Sequence, residues 1–265
     1  MDTSSYRDRV CIVTGATRGI GRCVTEQLLA DGALVLGVGN RTESCAHLRE
    51  ELASFGDALD VVAVDLREPS AGEQLVARVT ERWGRLDVVV NVAASFEYRP
   101  GVTPSREDWS DLITLKLLGY NGLIVAAIPE LKKTKGAIAN VAGTAGITAS
   151  PESPHVGAVN AAVISMSESY AALLAGAGVR VNVVTPGGVD TDRFTTRVEV
   201  YARTNNLSEE EVRAAFSKNI PVGHPADPEE IAATILAVSA PGLRSLTGAH
   251  VVVDGAATLS GRRRL

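Results

Sequence analysis

The sequence predicts an α/β fold: a single, doubly wound parallel sheet of about seven strands with helices on both faces. Three observations predict it. Short β-branched runs alternate with helical stretches along the 265 residues, the signature of strands joined by crossover helices. Hydrophobic residues make up 45% of the chain, enough at this length for one large core. A glycine-rich turn follows the first strand directly, where open sheets of this kind take their ligands.

The strand runs are, in order, "VCIVT" from Val10, "LVLGV" from Leu34, "VVAV" from Val61, "LDVVVN" from Leu86, "AIANV" from Ala137, "VRVNVV" from Val179 and "HVVV" from His250. Right-handed crossovers wind them into an open, Rossmann-type sheet whose ligands sit beyond the carboxyl ends of the strands. Two later helices announce their starts: Ser208 with Glu211 has capping-box spacing, and Asp227 precedes Pro228 at the first helical position with Glu230 at the third. From Asp192 to Val222 the chain is polar and strandless, which suits a helical lid above the sheet within one domain spanning 1–265.

Composition excludes several function classes. A formal net charge of -5 gives no pull toward nucleic acid, and Arg262, Arg263 and Arg264 are too short a basic run to add one. No apolar run approaches the roughly 20 residues needed to span a bilayer, and the N-terminus lacks an apolar signal core; a cytoplasmic protein is expected. Cys11, Cys23 and Cys45 are odd in number, which favours buried free thiols over a disulfide framework or a metal site.

After the first strand comes "TGATRGIG", Thr14 to Gly21. Its glycines permit a tight turn, and the following helix offers unpaired N–H groups and partial positive charge to a pyrophosphate. Gly15, Thr17, Arg18, Gly19, Ile20 and Gly21 are therefore expected to hold a dinucleotide. The second strand ends "GVGNRTE", without the carboxylate that grips an NAD ribose. Arg41 and Arg18 suit a 2'-phosphate instead, so NADP(H) is favoured over NAD(H). Asp65, ending the third strand with Leu66 beside it, meets the adenine or caps a helix with Glu68.

With these motifs in order, the chain resembles the short-chain dehydrogenase/reductase family from about Arg9 to Ala257. "TGATRGIG" resembles its cofactor loop, and "DVVVNVAA" from Asp87 resembles its NNAG strand end, with Asn91 kept but Val92 and Ala94 altered. "GVRVNVVTPGGVDT" from Gly178 resembles the strand and turn that hold the nicotinamide carboxamide, and "TGAHVVVDGA" from Thr247 resembles the last strand. The resemblance adds Asn91, Ala93, Pro186, Gly187, Val189 and Thr191 to the expected cofactor site. It also implies that the helix bearing Gly157, Ala158, Ala161 and Ala162 pairs with a second subunit, giving a homodimer or homotetramer.

The family's catalysis uses an Asn, a Ser and a Tyr four residues before a Lys. By alignment Lys116 stands at the Asn position, Gly143 at the Ser, Val156 at the Tyr and Asn160 at the Lys. A register slip of one brings Thr144 to the Ser position. None of Tyr6, Tyr98, Tyr120, Tyr170 and Tyr201 is followed four residues later by Lys. Val has no proton to give, and losing a positioned acid forfeits about 10²- to 10⁴-fold in rate.

Since the family's Asn and Lys positions face one another, Lys116 and Asn160 form an exchanged pair. Lys116 then serves as acid, base or imine-forming amine, unless its ammonium reaches water along the helix. Glu97 and Tyr98 follow the Asn91 strand on a loop at the ligand end, where Tyr98 joins Lys116 and Thr144 as a catalytic candidate. His155, about 100° around its helix from Val156, is expected to be solvated. These readings imply an atypical NADP(H)-binding enzyme for a small-molecule substrate, either non-redox (cyclisation, dehydration or isomerisation) or reducing carbonyls with a substitute proton donor. The alternative is a non-catalytic nucleotide-binding sensor or partner subunit.

Overall fold

In a computed structural model that describes residues 6–95, 103–151 and 153–260, seven parallel strands form one sheet in the order β3-β2-β1-β4-β5-β6-β7. They are β1 (Val10–Thr14), β2 (Leu34–Gly39), β3 (Leu59–Ala63), β4 (Val88–Asn91), β5 (Ala137–Val141), β6 (Arg180–Pro186) and β7 (His250–Val253). All seven coincide with predicted runs, with small shifts at the ends. β4 begins late because the Asp87 carboxylate closes its entry, accepting from the Val10 N–H at 3.0 Å and from the Arg9 and Arg85 guanidinium groups.

The period of two decides which helix each side chain meets. Cys11, Val13, Val88 and Val90 face a layer made by α1 (Gly19–Ala30), α2 (Thr42–Glu51) and α9 (Pro228–Ser239). Val10, Ile12, Leu36, Val89 and Ile138 face α3 (Ala71–Trp83), α5 (Gly119–Thr134) and α6 (Pro154–Leu174). The chain leaves β1–β3 in one direction and returns to build β4–β7 in the other, so a crevice opens beyond the carboxyl ends of β1 and β4.

α4 (Arg106–Leu112) runs into α5 through a single wider turn, Ile113–Leu118, whose hydrogen bonds have π spacing. Above the crevice, α7 (Asp192–Asn205) and α8 (Glu209–Lys218) occupy the segment expected to be strandless, packed through Phe194, Val198, Ala202 and Val212. Both predicted capping boxes, Ser208 with Glu211 and Asp227 with Glu230, are formed. The three cysteines are free and buried.

Two expectations change. The helices Arg106–Thr134 and Pro154–Ala177 are long and apolar enough, by length and composition, to cross a membrane, although no unbroken apolar run of that length was visible. Their apolar faces pack on the sheet: α5 buries Tyr120, Leu123, Ile124, Ala127 and Leu131, and α6 buries Val159, Val163, Ala171 and Leu174. No helix starts at Asp65. Its carboxylate accepts the Arg67 N–H at 3.0 Å in a local turn and pairs with the Arg67 guanidinium, which also reaches Asp111, and α3 begins only at Ala71.

Candidate active site

The first turn is shaped by backbone contact. Gly15 has φ +71°, and a Cβ there would lie 3.0 Å from the Ala93 Cα, so the loop after β4 closes directly over it. A Cβ on Gly21 would meet the Gly15 carbonyl oxygen at 2.2 Å, which forces glycine where α1 crosses the turn. At Gly39, where β2 ends, Thr17 and Cys45 leave no room for a side chain. Ile20 packs inward on the core. Arg18 precedes α1, and no side chain among the described residues caps that helix start.

Arg18 and Arg41 are both exposed, one at the turn after β1 and one just beyond β2. Thr191 precedes α7, and a Cβ on Gly19 would come within 3.4 Å of its methyl group. The beginnings of α1 and α7 thus face each other across the crevice. Pro186 ends β6, and Gly187 lies against Asp254 so closely that a Cβ would meet it at 2.8 Å. Val189 bridges to Ala226, which holds the turn in place. Leu66 is buried, and its carbonyl would lie 2.8 Å from a Cβ on Gly119.

Asn91 is fully buried. Its amide donates to Asn140 Oδ1 at 2.9 Å, and the Asn140 amide donates to Ser167 Oγ at 2.8 Å. The side chain expected to touch a cofactor therefore links β4 to β5 and α6 inside the protein.

Three of the four aligned positions, Lys116, Asn160 and Gly143, come together. Lys116 lies in the π turn, 6% exposed, and the wider turn is what rolls it inward between the strand ends and α6. Its Nζ donates to Asn160 Oδ1 at 2.7 Å and to the Ala142 carbonyl at 3.3 Å. The solvent-reaching alternative for Lys116 is thereby excluded. Burial, and then the Arg193 charge, lower its pKa from 10.5 to about 7.

Gly143 lies beside the pair: a Cβ there would sit 3.0 Å from Asn160 Nδ2. Thr144 opens a short 3-10 turn and stays partly accessible. Val156 is half-buried near the start of α6. His155, expected in water, is instead buried, its ring 6.0 Å from that of Trp109 on α4. Glu97 and Tyr98 lie outside the described residues.

Arg193, which sequence reasoning passed over, enters the same space from the first turn of α7 and donates to the Ala94 carbonyl at 2.7 Å. The residue is exposed in the open crevice, yet surrounding protein and the nearby Arg18 charge hold its guanidinium below the ordinary arginine range. One signal was available: a cation in the first turn of a helix opposes the helix dipole. Among the described residues, no group of three His, Cys, Asp or Glu side chains converges to hold a metal.

With this geometry in view, a family profile described as Enoyl-(Acyl carrier protein) reductase matches residues 15–258. The chain belongs to the short-chain dehydrogenase/reductase family. Among its relatives, the 3-oxoacyl-(acyl-carrier-protein) reductase FabG of Thermotoga maritima is 30% identical, over 93% of this chain and 96% of the other. The L-rhamnose 1-dehydrogenase (NAD(P)(+)) of Azotobacter vinelandii is 31% identical, over 94% and 96%. A solved short-chain dehydrogenase/reductase from Brucella melitensis, described as a glucose/ribitol dehydrogenase, superimposes with a TM-score of 0.85 at 26% identity, covering 96% of this chain and 98% of that one. These family members act on chemically different substrates by their descriptions, so family membership leaves the substrate open.

Proposed function

We propose that this chain is an NADP(H)-dependent oxidoreductase of small carbonyl compounds in which Lys116, oriented by Asn160, moves the proton that a tyrosine moves elsewhere in the family. The observation that carries this reading is the buried Lys116 Nζ, 2.7 Å from Asn160 Oδ1, with its pKa lowered to about 7. An amine in that range is present in both protonation states near neutral pH, as acid–base work requires. In this reading Lys116, Gly143, Val156 and Asn160 occupy the four tetrad positions, and Gly143 is small because Asn160 fills the space its side chain would take.

The turn fits a dinucleotide. Its glycines are dictated by backbone contact at Gly15 and Gly21, no side chain among the described residues caps the α1 start, and the exposed Arg18 and Arg41, at the turn after β1 and just beyond β2, favour a 2'-phosphate. Bound there, the nicotinamide supplies or accepts the hydride. Lys116 gives its ammonium proton to the carbonyl oxygen during reduction, and the Asn160 and Ala142 oxygens hold Nζ in place before and after. Thr144 is near enough in sequence to orient the substrate, and α7 with α8 forms the lid over it. The exposed Leu118 and Val125 on the α4–α5 arm and Leu173 on α6 support pairing of these helices between subunits. The free buried thiols favour a reducing, cytoplasmic setting.

The test is a titration with NADPH and NADH followed by a carbonyl-reduction screen with wild type and Lys116→Met. We expect NADPH to bind more tightly and stabilise the fold, and reduction to fall about tenfold per pH unit above pH 7 as Lys116 loses its proton. Equal turnover by Lys116→Met removes Lys116 from the chemistry. NADPH binding with no turnover of any carbonyl makes the chain a non-catalytic nucleotide-binding protein.

A further inference from the structure

Lys116 stands apart from the other lysines of the chain. Lys132, Lys133, Lys135 and Lys218 are exposed, whereas Lys116 is 6% exposed. Among the described residues its Nζ has two partners, Asn160 Oδ1 at 2.7 Å and the Ala142 carbonyl at 3.3 Å, and neither is a carboxylate.

The two protonation states fare differently in that setting. An ammonium has three N–H bonds to place and a charge to offset; two neutral oxygens leave one N–H over and the charge unpaired, which burial makes costly. A neutral amine has two N–H bonds, one for each oxygen. With Cε they take three of the tetrahedral directions at Nζ, and the nitrogen lone pair occupies the fourth. The pKa, lowered to about 7 first by burial and then by the Arg193 charge, agrees with this count. The amine form, which has no proton to give in the reduction proposed above, is a nucleophile.

The neighbours leave the pair approachable. Gly143 is partly accessible and has no side chain, and a Cβ there would stand 3.0 Å from Asn160 Nδ2. Thr144 beside it is partly accessible, and the half-buried Val156 lies one helical turn before Asn160 on the same face of α6. These three residues are small and uncharged, which suits a small aldehyde or ketone.

We propose that Lys116 is a covalent site as well as a proton donor: without any nucleotide, its amine condenses reversibly with small aldehydes and ketones to an imine. This rests on the reading that Lys116 faces the substrate. The lone pair adds to the carbonyl carbon, the C=O π pair moves to oxygen, and a proton passing from nitrogen to oxygen gives a carbinolamine. Departure of that oxygen as water takes the remaining nitrogen proton and leaves C=N; nothing is oxidised or reduced.

In the test, the full-length protein is incubated near neutral pH with acetone and sodium cyanoborohydride, without nucleotide. The reagent delivers hydride to C=N and fixes the imine as an isopropyl amine, which peptide mass spectrometry assigns to a lysine. Wild type is expected to carry the label on Lys116 at least about tenfold above each of the four exposed lysines. Asn160→Asp puts a carboxylate beside Nζ and holds it as an ammonium, so its Lys116 label should fall about tenfold or more, with the exposed lysines as the internal standard.

Label on Lys116 no higher than on the exposed lysines overturns the proposal, and so does equal labelling of Lys116 in wild type and Asn160→Asp. The proton-donor reading fails separately. Strong Lys116 labelling in a protein whose carbonyl reduction is equal in wild type and Lys116→Met keeps the imine site and removes the acid. Reduction lost in Lys116→Met, with no label on Lys116 in wild type, keeps the acid and overturns the imine site.

Discussion

Replacing Lys116 with Met turns its burial into a measurable free energy. Lys116 is 6% exposed, and its pKa falls from 10.5 to about 7 on folding. At 1.36 kcal/mol per tenfold, holding that charge in the native state costs about 5 kcal/mol wherever both states are protonated. Between pH 7 and 10.5 the unfolded chain binds the proton and the folded one does not, so wild-type stability rises with pH across that window. Below pH 7 the full cost is present, and above 10.5 it is gone.

Met keeps the apolar stem and removes the titration, but leaves the Asn160 and Ala142 oxygens without the Nζ donor. That loss costs about 1–3 kcal/mol and does not depend on pH. Lys116→Met is therefore expected to be more stable than wild type by about 2–4 kcal/mol at pH 7, and less stable by about 1–3 kcal/mol above pH 10. The two stability curves cross between. Urea unfolding of both proteins at equal concentration, at half-unit steps from pH 6.5 to 10.5, reads the difference directly, since all other titrating groups cancel. A difference that stays flat across the window would refute the burial argument, because it would mean that Lys116 titrates alike in the folded and unfolded chain.

Three other perturbations follow from the same contacts. Gly143→Ser should push Asn160 away from Lys116, lowering stability by about 1–3 kcal/mol and moving the alkaline limb of the pH–rate profile for reduction. An unchanged melting temperature and profile would show that the 3.0 Å approach is relieved elsewhere. Arg180 donates to the carbonyls of Val238, Leu246, Ser239 and Ala240 and so closes the end of α9; Arg180→Met should cost about 2–4 kcal/mol in denaturant unfolding without altering nucleotide affinity. Arg18→Ala and Arg41→Ala should each reduce the preference for NADPH over NADH about tenfold in a fluorescence titration, and an unaltered ratio would remove both from 2'-phosphate recognition.

The sequence by itself determined the sheet, because strand and helix are written in local periodicity: every predicted β-branched run became a strand, and the glycine turn fell between β1 and α1. It also determined that no tyrosine stands four residues before a lysine, and it anticipated the pairing of Lys116 with Asn160 from the family's alignment. What it could not decide depends on the directions of side chains between elements far apart in the chain. Asn91 turned inward because Asn140 and Ser167 offered it a hydrogen-bonded chain, and His155 was buried because Trp109 from α4 covers the start of α6. Asp65 found Arg67 rather than a helix to cap. Arg193 reached the strand ends only because the turn after β6 brings the start of α7 against the start of α1. Local pattern carries the backbone hydrogen bonds that build each element. The charge environment of the crevice is a sum over side chains from α1, α5, α6 and α7, and it exists only once the sheet has brought their ends together.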